Sequence, residues 1–282
     1  MSDWKTLFHK DQFRFIDHTN SIEPVTALDA FAVDDALALS VEKGASPTTM
    51  RIWTHDQTVV LGIPDARLPF IKEGVSWLNQ QGYQAVVRNS GGLAVVLDKG
   101  VMNITLLFAD GNKIGIHEGY QMMVGFIQEL FADYTDQIKA FEVKGSYCPG
   151  DYDLSIDGKK FAGISQRRVK NGVAVQIYLS IEADNQARAK LIESFYKLGL
   201  QGEKSKFAYP TVEPNTMEAL ATLLNKPLTI DFVKNRIREK LTDLTKELQQ
   251  NDLTAIEKEM YQKRKQQMIV RNKKALGDLF HE

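Results

Sequence analysis

The chain has 282 residues, 43% of them hydrophobic and 25% charged, with a formal net charge of −1. That length holds one large domain, or one domain and an appendage, of ordinary globular composition. Near-neutrality gives no bulk attraction to nucleic acid or membrane surfaces, no apolar run approaches the roughly 20 residues that span a bilayer, and the start, Met1-Ser-Asp-Trp-Lys-Thr, lacks the basic and apolar regions of a signal peptide.

Residues 27–43 are predicted helical, with Leu28, Phe31, Ala32, Ala36 and Leu39 on one face and Gly44 as the stop. Residues 50–62 read as a hairpin, with arms 50–54 and 58–61. A helix over 68–81 ends at Gly82, and strands over 84–88 and 93–97 flank the turn 89–92. A strand over 102–108 and a helix over 116–132 follow. Asp157-Gly158 and Asn171-Gly172 are type I′ hairpin signals. They predict an antiparallel meander of strands 152–156, 159–169 and 173–180. A helix over 184–198 stops at Gly199, and Asn215-Thr-Met-Glu218 resembles a capping box. Val233, Ile237, Leu241, Leu244 and Leu248 form the apolar stripe of one C-terminal helix. A second, over 253–275, carries Lys263, Arg264, Lys265, Arg271, Lys273 and Lys274. The expected class is α+β on a mainly antiparallel mixed sheet, with residues 1–225 as the main domain. Residues 226–282 are expected to form a helical segment packed on it.

Cys148 is the only cysteine, so no intrachain disulfide is possible and a Cys-rich metal site is excluded. The five histidines, His9, His18, His55, His117 and His281, show no metal-ligand spacing. A reducing cytoplasm suits a free thiol. Cys148 sits in Gly145-Ser-Tyr-Cys-Pro-Gly150, twelve residues before Lys160. A thiolate beside a cation is an acyl-transfer nucleophile; a small buried hydrophobe is the plainer alternative. On a strand over 159–169, alternation puts Lys160, Ala162, Ile164 and Gln166 on one face. Lys159, Phe161, Gly163 and Ser165 take the other. One lysine therefore points inward, unless the pair only keeps a hairpin tip soluble. Small Ala162 and Gly163 leave room for an acyl chain. In Arg88-Asn-Ser-Gly-Gly92 the glycines let the backbone approach a ligand. Arg88 needs an anion, a carbonyl or a solvent-filled cleft, or else it turns to solvent from an ordinary turn. No GxxxxGK[ST] phosphate loop is present.

Arg88-Asn-Ser-Gly-Gly-Leu-Ala-Val-Val-Leu-Asp98 resembles the Arg-x-Ser-Gly-Gly-Gly motif of the lipoate/biotin protein ligase superfamily. Asp157-Gly-Lys-Lys-Phe-Ala-Gly163 resembles its Gly-x-Lys-hydrophobic-small-Gly motif, in the right order, and the likeness covers roughly residues 27–200. It implies a class II synthetase-like catalytic domain. Arg88, Ser90, Gly91 and Gly92 would line the acyl pocket, with Ala162 and Gly163 beside it and Lys160 at the acyl carbonyl. Three departures matter. Leu93 replaces a third glycine, Leu97-Asp98 replaces a His-Asp pair, and Cys148 stands where ligases lack a nucleophile. With Cys148, the chain is similar to the branch that moves octanoyl from the glycine cleavage H protein to E2 lipoyl domains of 2-oxoacid dehydrogenases. That implies Cys148 and Lys160 as catalytic residues, with Lys160 favouring the thiolate, binding the oxyanion and protonating the leaving amine. No cofactor or metal is expected, because amide-to-amide transfer is nearly thermoneutral. The alternatives are an ATP-dependent lipoate ligase, a transferase that draws on acyl carrier protein, and a non-enzymatic lipoyl-domain binder.

Overall fold

The computed structural model of the chain describes residues 5, 8, 11–20, 26–109 and 111–281. His9 and, Lys5 apart, the first six residues lie outside the described residues. In chain order the elements begin β1 Gln12–His18, α1 Ala27–Glu42, β2 Thr48–Thr54, β3 Thr58–Leu61, α2 Ile71–Gln80, β4 Gln84–Val87, β5 Val95–Leu97 and β6 Val101–Phe108. Next come α3 Ile116–Leu130, β7 Lys139–Ala140, β8 Leu154–Ile156, β9 Lys159–Val169, β10 Gly172–Ser180 and α4 Asn185–Leu200. The chain closes with α5 Leu220–Leu224, α6 Ile230–Leu244, β11 Glu247–Gln250 and α7 Ala255–Leu276.

Among the described residues the strands form a large sheet, β11-β1-β2-β6-β10-β9-β8-β7, and a small one, β4-β3-β5. β1 is parallel to both its neighbours, and β3 is parallel to β4; the other pairings are antiparallel. The class is α+β on a mainly antiparallel mixed sheet, as expected. Phe126 and Ile127 of α3 and Val233, Ile237 and Leu241 of α6 join the core on one face of the large sheet. On the other face lies α1, opened by a capping box between Thr26 and Asp29. α7 covers α1 and also begins in a capping box, Thr254 with Glu257.

Because α1 lies between sheet and α7, it is buried on nearly every side rather than along one stripe. Its Asp34 carboxylate accepts from Arg51 at 2.9 Å, Thr105 at 2.8 Å and Gln176 at 2.7 Å. Burial pushes the Asp34 carboxyl up, and these donors pull against it.

The meander forms as the turn signals direct, with Asp157 and Gly158 at φ 50° and 75°. Its second turn lies one residue earlier than expected. Val169 pairs with Gly172, so Lys170 and Asn171 make the turn. The hairpin expected over 50–62 does not form, because β1 and β6 occupy both edges of β2, and β3 joins the small sheet. Likewise β4 and β5 are not partners; β3 runs between them. The capping box at Asn215 is absent, since Ala219 is the N-cap of α5 and has no side-chain bond. Leu248 ends up in β11 and not in the α6 stripe. The segment after residue 225 is thus part of the main sheet as well as its cover.

Candidate active site

Cys148 lies in the loop between β7 and β8 in a left-handed conformation, φ 47°, uncommon for a residue with a Cβ. Lys160 holds that conformation from below. Its ammonium is fully buried and lies 2.9 Å from Asp153 Oδ1. It also donates to the carbonyls of Tyr147 at 2.9 Å and Cys148 at 2.8 Å, and to Ser146 Oγ at 3.3 Å. Three N–H groups therefore serve four acceptors. Burial pushes the Asp153 carboxyl up, while Lys160 and the amides of Gly150 and Val143 oppose the shift. The rings of Tyr147 and Tyr178 flank the ammonium at 6.0 and 5.9 Å.

From above, the glycine turn meets the sulfur. The Leu93 N–H donates to Cys148 Sγ at 3.0 Å, and Arg88 Nη2 lies 3.5 Å from the same atom. Arg88 Nη2 also donates to Leu93 O at 2.8 Å, which ties guanidinium and turn together. The cation beside the thiol is thus Arg88. The chain crosses the end of β3 here so closely that a Cβ on Gly62 would meet Gly92 O at 2.0 Å. Gly92 itself has φ +99°, and a Cβ there would lie 2.3 Å from Arg88 Nη2 and 2.9 Å from Sγ. Two residues beyond the turn, Ala94 donates its N–H to Tyr196 Oη at 3.2 Å, and Tyr196 donates to Asp65 at 3.0 Å. Burial pushes the Asp65 carboxyl up to about 6.

Gly92→Ala is therefore expected to lower acyl transfer by about 10²-fold or more, the cost of an ångström-scale misplacement at a reacting centre. Gly91→Ala should fall far less, because a Cβ there meets nothing within 4 Å. Comparable rates for the two variants in a transfer assay would remove the Arg88–sulfur contact from the mechanism.

Beside the thiol opens a cavity of about 280 Å³. Val95 and Leu97 of the small sheet form one wall, and Tyr120, His117 and Tyr152 frame another side. Its floor is the α1 face of the large sheet, where the register aligns Trp53, Asn103, Tyr178 and Gly163 in one cross-strand row. Gly163 is small for a reason, since a Cβ would press the Tyr178 ring at 2.7 Å.

Of the residues singled out from the sequence, Arg88, Gly91, Gly92, Cys148 and Gly163 line this cavity, together with the apolar Val95, Leu97 and Ile164. Lys160 does not; it lies under the loop. Ser90 is buried outside the cavity, and Ala162 packs into the core. The expected alternation fails at a bulge: Ser155 pairs with Lys160 but Leu154 with Ala162, leaving Phe161 extra. Lys160 consequently shares a face with Gly163, whose Cβ would sit 3.4 Å from its Cε. Lys159 is exposed. Sequence reasoning missed Asp153, Tyr147, Tyr178, Tyr196 and Asp65. Asp153 lies three residues after the quoted cysteine segment, and an aspartate flanked by Tyr152 and Leu154 is a signal for a buried cation partner.

The family model of the lipoyl protein ligase A/B catalytic domain matches residues 26–242. The chain belongs to the lipoyl protein ligase A/B family. Among curated relatives of this family member, an octanoyl-[GcvH]:protein N-octanoyltransferase of Oceanobacillus iheyensis is 50% identical, over 96% of this chain and 99% of that protein. A lipoyl-[GcvH]:protein N-lipoyltransferase of Listeria monocytogenes is 43% identical over 96% of this chain and 98% of that protein. Within the family the chain falls in the octanoyl-[GcvH]:protein N-octanoyltransferase group. Lipoate-protein ligase A bound with ATP matches in fold, with TM-score 0.70 and 13% identity over 95% of this chain and 99% of that one. The bipartite lipoate protein ligase of Thermoplasma acidophilum gives 0.69 and 15% over 97% and 98%. Among the described residues no cluster of metal-binding side chains occurs, and no helix is long and apolar enough to cross a membrane.

Proposed function

We propose that the chain is a cysteine-dependent N-octanoyltransferase, taking octanoyl from the lysine of octanoylated glycine cleavage H protein to lysines of E2 lipoyl domains. The observation that carries this reading is the convergence of Arg88 and the Leu93 N–H on Cys148 Sγ at the mouth of an acyl-sized cavity. The names of its relatives supply the donor. Cys148 as thiolate attacks the acyl carbonyl; the C–N bond breaks, and the donor lysine leaves as an amine, taking up a proton that the acceptor lysine gives back when it attacks. The acceptor lysine amine then attacks the thioester, the C–S bond breaks, and the thiolate returns. One amide is exchanged for another, so covalent catalysis serves to divide the barrier and no energy source is consumed. Donors aimed at the sulfur stabilise negative charge both before attack and as the thioester is cleaved. A reducing cytoplasm would keep the thiol available. Incubation with octanoylated H protein should add one octanoyl mass to the intact chain, removable by neutral hydroxylamine. No adduct under single-turnover conditions would sink the thioester.

The basic face of α7 is our candidate for steering carrier domains, to the extent that their docking surfaces carry negative charge. Lys263, Arg271, Lys273 and Lys274 are exposed, whereas Lys265 is paired with Asp29 at 2.8 Å. The helix abuts the glycine turn, since Asn272 bonds both N–H and C=O of Val87 at 2.6 and 3.0 Å. Steering acts on association and is screened within about 8–10 Å at physiological salt. Reversing Lys263, Arg271 and Lys274 should raise the KM for carrier protein and flatten its salt dependence, while single-turnover acylation from saturating donor stays intact. An unchanged KM at low salt would leave α7 as a cover only.

A further inference from the structure

Asp65 and Tyr196 lie buried beside the glycine turn, and the transfer chemistry above uses neither. Asp65 begins the short turn after β3 and is fully buried; Tyr196 belongs to α4 and is 3% exposed. The two carboxylate oxygens of Asp65 serve different partners. Oδ2 accepts from the Gly62 N–H at 2.7 Å, and Oδ1 accepts from the Tyr196 hydroxyl at 3.0 Å. Each bond leads on to the segment that meets the sulfur. Gly62 lies against the Gly92 carbonyl so closely that no Cβ fits between them. The Tyr196 oxygen in turn accepts from the Ala94 N–H at 3.2 Å. Gly92 and Ala94 stand on either side of Leu93, whose N–H donates to Cys148 Sγ. One buried carboxylate therefore holds both flanks of the peptide that addresses the thiol.

We infer that Asp65 and Tyr196 are a positioning pair that keeps the Leu93 N–H aimed at the Cys148 sulfur; its effect on catalysis rests on the transferase reading above. A turn that needed only closing could use an uncharged cap, whereas a buried carboxylate is costly unless its oxygens are well served. Burial pushes Asp65 up to about 6, while the Gly62 and Tyr196 bonds and the nearby Arg88 pull against that shift. At neutral pH it is ionised, and both oxygens accept. A hydroxyl that donates to a carboxylate accepts more strongly through its own oxygen, so the charge on Asp65 tightens the hold on Ala94. Arg88 does not supply this aim by itself. Its Nη2 lies 3.5 Å from Sγ and is tied to the Leu93 carbonyl at 2.8 Å. If residues 92–94 shift, both donors leave the sulfur together.

Tyr196→Phe tests the pair, because it keeps the ring and its packing on Phe195 and Tyr209 and removes only the oxygen between Asp65 and Ala94. Tyr209→Phe is the control. Its hydroxyl donates to Pro64 O at 2.6 Å, in the same turn as Asp65 but away from residues 92–94. The first readout needs no acyl donor: the rate of Cys148 alkylation by iodoacetamide across pH. At neutral pH Tyr196→Phe should react about fivefold to tenfold more slowly, the scale of one hydrogen bond to a charged group. The gap should close where the pH is high enough to ionise the thiol in both proteins. Tyr209→Phe should follow the wild type throughout. In transfer from octanoylated H protein, Tyr196→Phe should lose about tenfold in kcat with the donor KM little changed. Asp65→Asn, left with one acceptor oxygen for two donors, should fall between Tyr196→Phe and the wild type. Identical alkylation profiles for folded Tyr196→Phe and the wild type would overturn the pair. Equal losses in Tyr196→Phe and Tyr209→Phe would overturn it too, since the effect would then be a general loosening of the turn. Slowed alkylation of Tyr196→Phe alone, with no acyl adduct on the wild type, would keep the aim at sulfur and overturn the transfer reading.

Discussion

Cys148→Ala should form no acyl adduct, and transfer from octanoylated H protein to a lipoyl domain should fall by about 10⁴-fold or more. Losses of that size follow removal of the nucleophile in other covalent mechanisms. The thermal midpoint should barely change, because Cys148 is only partly buried at a cavity mouth and leaves no large void. Cys148→Ser separates the thiolate from the geometry. It keeps a donor–acceptor atom near the Leu93 N–H and the Arg88 guanidinium, but an alcohol is a far weaker nucleophile at neutral pH. It should transfer hardly better than alanine while keeping affinity for the donor. Transfer by either variant near the wild-type rate would mean direct attack of the acceptor lysine on the donor amide. Arg88 and Leu93 would then have to act on the oxyanion and not on sulfur.

The two motifs and the lone cysteine were legible because each is local. Arg88-Asn-Ser-Gly-Gly92 needs glycine where a side chain would strike Arg88 and Sγ. The meander follows from its turn residues. Less legible were relations that depend on which edges are already taken. Residues 50–61 look like a hairpin, but β6 returns from residue 101 to claim the edge of β2, and no local signal announces that. The side on which Lys160 lies was obscured by a bulge of one residue at Phe161, to which period-two reasoning is blind. The network of Asp65 and Tyr196 spans 131 residues of sequence. Asp34 is similar. A carboxylate in the middle of an apolar helix reads as a solvent-facing position until Arg51, Thr105 and Gln176 are brought to it. Residue types drew attention to the candidate site, whereas the placement of its groups came from contacts between distant segments.

Lys160→Ala should lower single-turnover acylation by about 10²-fold or more, while Lys159→Ala, exposed at the hairpin end, should stay near wild type. The single variant has a second effect that must be separated. It strands a buried Asp153 carboxylate and two loop carbonyls, and breaking such a pair costs about 3–5 kcal/mol of stability. The double variant Lys160→Met/Asp153→Asn removes both charges together and should recover much of the lost thermal stability. Two roles for the lysine then diverge. If Lys160 serves only to hold the Cys148 loop at its positive φ, transfer should recover in step with stability, and the oxyanion and proton-donor roles implied for it would go. If its positive charge under the loop also acts on the reacting carbonyl, the double variant should be stable and still slow. We expect the second result, with kcat reduced and the KM for donor little changed. The hydrogen bonds of Lys160 to the Tyr147 and Cys148 carbonyls run through the nucleophile's own backbone, so its charge would act on the reaction through the loop and not by lining the cavity. Its three N–H groups are already spread over four buried acceptors, so it is the field of the charge, and not a new hydrogen bond, that the double variant removes.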